Sequence, residues 1–98
     1  MQVTITGRHV NVTNHVEGYA RERAEKLPHY LDTISRVEVT IDREGNDYTC
    51  EYHVHAEGHD VFVAKAHDRD LTACIDLVHD KVVRQLNDWK SRIRDNHH

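Results

Sequence analysis

Cysteine, proline and long apolar runs are scarce in this 98-residue chain, and each scarcity excludes something. The two cysteines, Cys50 and Cys74, show no CxxC spacing and build no disulfide framework, so a reducing cytoplasm is the default compartment. Pro28 is the single proline and the four glycines stand apart. That excludes a linker, and no repeat or low-complexity segment is present. No apolar run approaches the roughly 18 residues of a membrane span. Met1 to Ile5 alternates rather than placing a basic segment before a greasy one, so no secretory signal is visible. There is no glycine-rich phosphate loop, no HExxH and no nucleophile elbow. No enzyme is visible.

What is present fits one domain over residues 1–98, with the last few residues expected to be flexible. Thirteen Lys and Arg against 17 Asp and Glu give a formal charge of -4, which argues mildly against a phosphate-binding partner. The distribution says more than the sum. Lys81, Arg84, Lys90, Arg92 and Arg94 face only Asp88 between positions 81 and 94, a local +4. Positions 32–70 hold ten acids and four bases, a local -6. Such polarity points to a partner for the basic end.

The hydrophobic pattern predicts the order β-α-β-β-β-α. Val3 and Ile5 alternate with Gln2, Thr4 and Thr6 in a strand stopped by Gly7. Asn14, with Glu17 three residues on, reads as the capping box of a helix whose apolar positions are Val16, Tyr19, Ala20, Ala24 and Leu27. Pro28 ends it. Val37, Val39 and Ile41 alternate in a second strand, and Glu44-Gly45-Asn46-Asp47 is turn chemistry. Tyr48, Cys50, Tyr52, Val54 and Ala56 alternate in a third. After Gly58-His59, Phe62, Ala64 and Ala66 are expected inward, since alanines let a helix approach closely. Leu71, Cys74, Ile75, Val78, Val82, Leu86, Trp89 and Ile93 then repeat at helical steps behind an Asp68 cap. The expected fold is α+β: a four-stranded sheet with both helices on one face and the other face open to water.

Ten histidines are unusual for this length. His53 and His55 share a strand face and can in principle grip zinc or copper, but a tetrahedral site needs three or four converging ligands. The spacing supplies no such set. Solvated surface histidines are the plainer reading, with a histidine-rich metal-buffering protein as an alternative from another class. No cofactor is implied. Histidine has a reference pKa near 6.5, so these residues gain protons as a cell acidifies. His79, His29 and His9 are taken as nearest the basic tract, and binding to a polyanion is expected to tighten toward pH 6.

The basic tract is the better lead. On a helical wheel Lys81, Arg84, Asp88 and Arg92 form a ribbon along one flank of the apolar stripe. Arg23 falls near the centre of the first helix's apolar stripe and must snorkel toward the space beside the second helix. With Lys26 one step away, the two helices can present Arg23, Lys26, Lys81, Arg84 and Arg92 on one surface that tracks a phosphate backbone. A generic double-stranded-RNA binder fits the same pattern.

Met1-Gln2-Val3-Thr4-Ile5-Thr6-Gly7, Arg23-Ala24-Glu25-Lys26-Leu27 with Tyr30, Ala73-Cys74-Ile75-Asp76 and Asp80-Lys81-Val82-Val83-Arg84-Gln85-Leu86 together resemble the short ribosome hibernation-promoting factors. The resemblance covers essentially the whole chain. It implies a stress-induced cytoplasmic protein, non-enzymatic, that binds rRNA of the small ribosomal subunit in the mRNA and tRNA channel and inhibits translation. It places rRNA contacts on Arg23, Lys26, Lys81, Arg84 and Lys90, and further ones on Arg8 and Arg92. No small-molecule substrate or membrane is implied, and off the ribosome a monomer is expected. Glu22, Glu25 and Asp88 dilute the surface relative to the family, and Trp89 stands where Tyr or His is expected. Long members carry a second, dimerising domain that a chain ending near Arg94 would lack.

Overall fold

Period-two alternation and one long amphipathic helix become the elements expected. In order they are β1 (Gln2–Arg8), α1 (Asn14–Glu25), β2 (Ile34–Glu44), β3 (Asp47–Ala56), β4 (Phe62–Asp68) and α2 (Leu71–Asp95), with a 3-10 turn at Leu27–His29 between α1 and β2. This computed structural model describes residues 1–95; His97 and His98 lie outside the described residues. The sheet order is β1-β2-β3-β4. β1 pairs with β2 in parallel, and the remaining pairs are antiparallel. β1 and β4 therefore run the same way, and each is followed by a helix that returns along the sheet. The two helices are parallel neighbours, α1 beside β1 and α2 across β3 and β4.

One face of the sheet is buried under the helices. Val37, Val39, Ile41, Cys50, Tyr52 and Val54 meet Ala20, Ala24, Ile75, Val78, Val82 and Leu86 in a single core. Phe62, Ala64 and Ala66 point inward as expected. Removing one such large aliphatic side chain from water stabilises the fold by roughly 1.5–3 kcal/mol. The register places the polar residues of the open face in rows, among them Thr4–Glu38–His53 and Thr40–Glu51–Lys65. Gly45 and Asn46 turn β2 into β3 with only Gly45 at positive φ, 62°, where a two-residue hairpin of the II′ kind requires glycine.

Several boundaries differ from the sequence expectation. Gly7 does not stop β1, which continues to Arg8. Glycine is needed there because the chain folds back on it: a Cβ would lie 2.7 Å from Val12 Cγ2 and 2.8 Å from the Val10 carbonyl. The α1 cap is Thr13 rather than Asn14, its Oγ1 accepting from Val16 N at 3.2 Å. Glu17 pairs instead with Arg21 at 3.2 Å. Leu27 lies past the end of α1 and is buried from the 3-10 turn. Asp70, not Asp68, caps α2 by accepting from Ala73 N at 3.1 Å, while Asp68 accepts from Asp70 N and shapes the approach. Ile93 belongs to the stripe by spacing, yet it is 39% exposed because α2 outruns the core.

Candidate nucleic-acid interface

Charge separates along α2. Asp76 and Asp80, behind the Asp70 cap, belong to its first half with no Lys or Arg among residues 71–80, and Lys81, Arg84, Lys90, Arg92 and Arg94 follow with Asp88 as the one acid between residues 81 and 94. Acids at the start and bases at the end both suit the helix dipole. All five bases are exposed. Because α2 runs antiparallel to β4 and away from the Arg8 end of the sheet, the cationic half lies toward the β3–β4 connection at Gly58. Lys26 sits at that same end, following α1, and is exposed beside Glu22 at 4.0 Å. Arg8 does not join them. It ends β1 at the opposite end of the sheet, in register with Asp42, whose carboxyl is held below its usual range chiefly by a hydrogen bond from His9.

The two flanks of α2 do different things, which the helical wheel alone does not assign. One flank overhangs β4. Lys81 Nζ donates to the Lys65 carbonyl at 2.7 Å, and Gln85 Nε2 donates to the Val63 carbonyl at 2.9 Å. The other edge of the sheet is treated alike, with Arg21 donating to the Val3 carbonyl at 3.0 Å. Side chains reaching down from the helices thus occupy edge carbonyls that another strand would otherwise use. Lys81 keeps its exposure but is tied to the backbone beneath it.

The opposite flank faces α1, and Arg23 is found in the groove between the helices as expected. Its Nε lies 3.4 Å from Asp76 Oδ1, with the side chain 28% exposed. Tyr19 donates to the same carboxylate oxygen, and that bond raises the Tyr19 pKa. Arg23 and Lys81 therefore belong to different flanks of the helix pair, not one continuous ribbon; β1-to-β4 order puts α1 and the β4 edge on opposite sides of α2. His79 corrects the sequence reading more sharply. It is 6% exposed, its ring edge-on to Tyr52 at 6.2 Å. Burial, reinforced by the Arg23 charge, lowers its pKa, so it takes up a proton less readily than a free histidine and does not serve as the pH-gained charge expected of it. The Arg23 Nε, Tyr52 hydroxyl and His79 Nδ1 are the buried polar side-chain atoms with no hydrogen-bond partner among the described residues.

The remaining histidines and cysteines show no converging chemistry. His55 Nε2 lies 2.6 Å from Glu38 Oε1, and His53 meets Glu51. Both rings are half-buried by these carboxylates rather than freely solvated. The His55 bond lowers the Glu38 pKa. Among the described residues no three His, Cys, Asp or Glu side chains group as metal ligands. Cys50 and Cys74 are free thiols, fully buried against each other, and their mutual hydrogen bond with burial pushes Cys50 well above its ordinary range. Neither offers an accessible thiolate.

Residues 3–94 match the family described as Sigma 54 modulation protein / S30EA ribosomal protein. The chain belongs to this ribosome hibernation factor family. It is 36% identical over 92 residues to the ribosome hibernation promoting factor of Azotobacter vinelandii, covering 94% of this chain and 85% of that one. It is 32% identical over 94 residues to that of Escherichia coli K12, covering 96% and 98%. The fold is shared with a ribosomal subunit interface protein from Coxiella burnetii, at a TM-score of 0.86 and 20% identity over 93% of this chain and 99% of the other. It is shared also with the N-terminal domain of Thermus thermophilus Protein Y, at 0.81 and 23% over 91% and 99%. Hibernation factors are a non-enzymatic family acting in translation regulation, which agrees with the missing catalytic motifs. No helix of the described residues is long and apolar enough to cross a membrane.

Sequence reading missed the cluster beside the Gly58 turn. His59 stacks on Phe62 with centroids 3.7 Å apart and planes 2° from parallel, and Trp89 meets His59 edge-on at 4.4 Å. The signal was available in the spacing of Gln85, Asp88, Trp89 and Arg92, which share one side of the helix.

Proposed function

We propose that this chain binds the small ribosomal subunit by setting the cationic half of α2, with the end of α1, against rRNA phosphates, and that it inhibits translation from the mRNA and tRNA channel. The observation that carries this reading is the exposed run of five bases and one acid over residues 81–94 in a member of a hibernation factor family. Among the described residues Arg84, Lys90 and Arg92 of that run enter no ion pair, Lys81 adds its charge from the β4 edge, and Arg23 and Lys26 extend the surface across the interhelical groove. Arg8, at the far end of the sheet, makes a separate contact. The protein works in the cytoplasm as a monomer until it meets the ribosome, as one domain, without a cofactor.

Co-sedimentation with purified subunits tests the reading. The chain is expected to pellet with small subunits and to resist displacement by an RNA duplex at equal phosphate concentration. Equal partition onto the duplex would make it a generic RNA binder. Stoichiometric zinc uptake far below millimolar, with no ribosome binding, would favour the metal-buffering alternative.

A further inference from the structure

Asp88 is the one acid among residues 81–94 of α2, and nothing in phosphate binding accounts for it. It lines a groove of about 240 Å³ together with Gln85, Trp89, Arg92 and His59. Asp88 and Arg92 are one helical turn apart, yet neither enters an ion pair among the described residues. Gln85 is fixed through its amide nitrogen on the Val63 carbonyl, which leaves its amide oxygen free to accept a hydrogen bond from a ligand. The wall is aromatic: the half-buried Trp89 indole braced by the His59–Phe62 stack. Flat rings beside unspent hydrogen-bonding groups, at the end of a basic track, are the elements by which proteins hold splayed bases of single-stranded RNA.

We propose that this groove takes one unpaired guanine of an RNA strand whose phosphates run past Arg84. The proposal rests on the rRNA-binding reading and names the chemistry of one part of that surface. Guanine is singled out by the carboxylate. Its N1–H and N2–H₂ are adjacent donors that match the two oxygens of Asp88, and its O6 and N7 are acceptors that suit the Arg92 guanidinium. Adenine and cytosine would set a ring-nitrogen lone pair against the carboxylate. Uracil offers one donor between two carbonyls. The base stacks on Trp89.

Trp89 is the chain's single tryptophan, so its fluorescence reports the groove directly. The probes are the trinucleotides UGU and UCU and guanosine monophosphate, titrated into the intact protein at low salt. UGU is expected to quench saturably and to bind about tenfold tighter than UCU, the worth of one good bidentate base contact. Asp88→Asn, at an exposed position, should erase that preference, whereas Arg84→Ala should weaken both trinucleotides alike. Equal binding of UGU and UCU, or a preference that survives Asp88→Asn, overturns the proposal. Guanosine monophosphate binding as tightly as UGU overturns it too, in favour of a free-nucleotide site. The same preparations are sedimented with ribosomes. Failure to discriminate bases with ribosome binding intact condemns the groove alone, and base discrimination without ribosome binding condemns the ribosomal reading alone.

Discussion

Lys81 donates from Nζ to the main-chain carbonyl of Lys65 at 2.7 Å, so a side chain expected to face a ligand is also a clamp on the edge of the sheet. With Gln85 on the Val63 carbonyl it covers edge strand β4, whose Val63 is 48% exposed, with exposed Val61 just before it. An uncovered, β-branched edge is a template for another strand.

Replacing Lys81 and Gln85 together by Ala is expected to cost about 1–3 kcal/mol, at about 1 kcal/mol per hydrogen bond lost. It should also let the protein self-associate through β4. Urea unfolding and sedimentation velocity report the two effects. A variant that stays monomeric at high concentration would show that the clamp does not guard the edge. Loss of ribosome binding in Lys81 variants must therefore be read beside their oligomeric state.

His79 makes stability depend on pH. Its folded pKa lies below the unfolded value near 6.5, so the unfolded chain binds the extra proton. The stabilisation is complete above pH 6.5 and is lost as pH falls through the folded pKa. The urea midpoint of the wild type should drop between pH 7 and pH 5.5, and His79→Leu should flatten that part of the profile. Parallel profiles for the two proteins would contradict the buried neutral ring.

Asp76 is expected to hold Arg23 and Tyr19 at a cost in phosphate affinity. Asp76→Ala leaves a buried guanidinium nitrogen without its counter-charge and should destabilise by about 1–3 kcal/mol. Asp76→Asn keeps the shape and should destabilise less. By removing a negative charge 3.4 Å from Arg23, the Asn variant should bind ribosomes more tightly at low salt. Unchanged or weaker affinity would place Arg23 outside the interface.

Local pattern made the sheet and helices legible. Alternation in residues 48–56 and the stripe from Leu71 to Leu86 each admit one inward face, and the core uses it. What stayed hidden depends on neighbours distant in sequence. Gly7 looked like a strand stop, because nothing local says that Val10 and Val12 close over it. His79 sits at the margin of the stripe, and its burial beside Arg23, not any local signal, lowers its pKa. The wheel put Lys81, Arg84, Asp88 and Arg92 on one flank, but strand order determines that this flank overhangs β4 and not α1.

The central claim is that the free cations on the far half of α2 meet rRNA phosphates, and the salt dependence of small-subunit binding tests it most directly. Arg84, Lys90 and Arg92 changed together to Ala should leave the urea midpoint unaltered, since all three are exposed and outside the core. Each phosphate contact removed should flatten the slope of log affinity against log salt by about 0.7–0.9, so the triple variant should lose about two units of slope. A triple variant with the wild-type slope and affinity across the salt series would contradict the account.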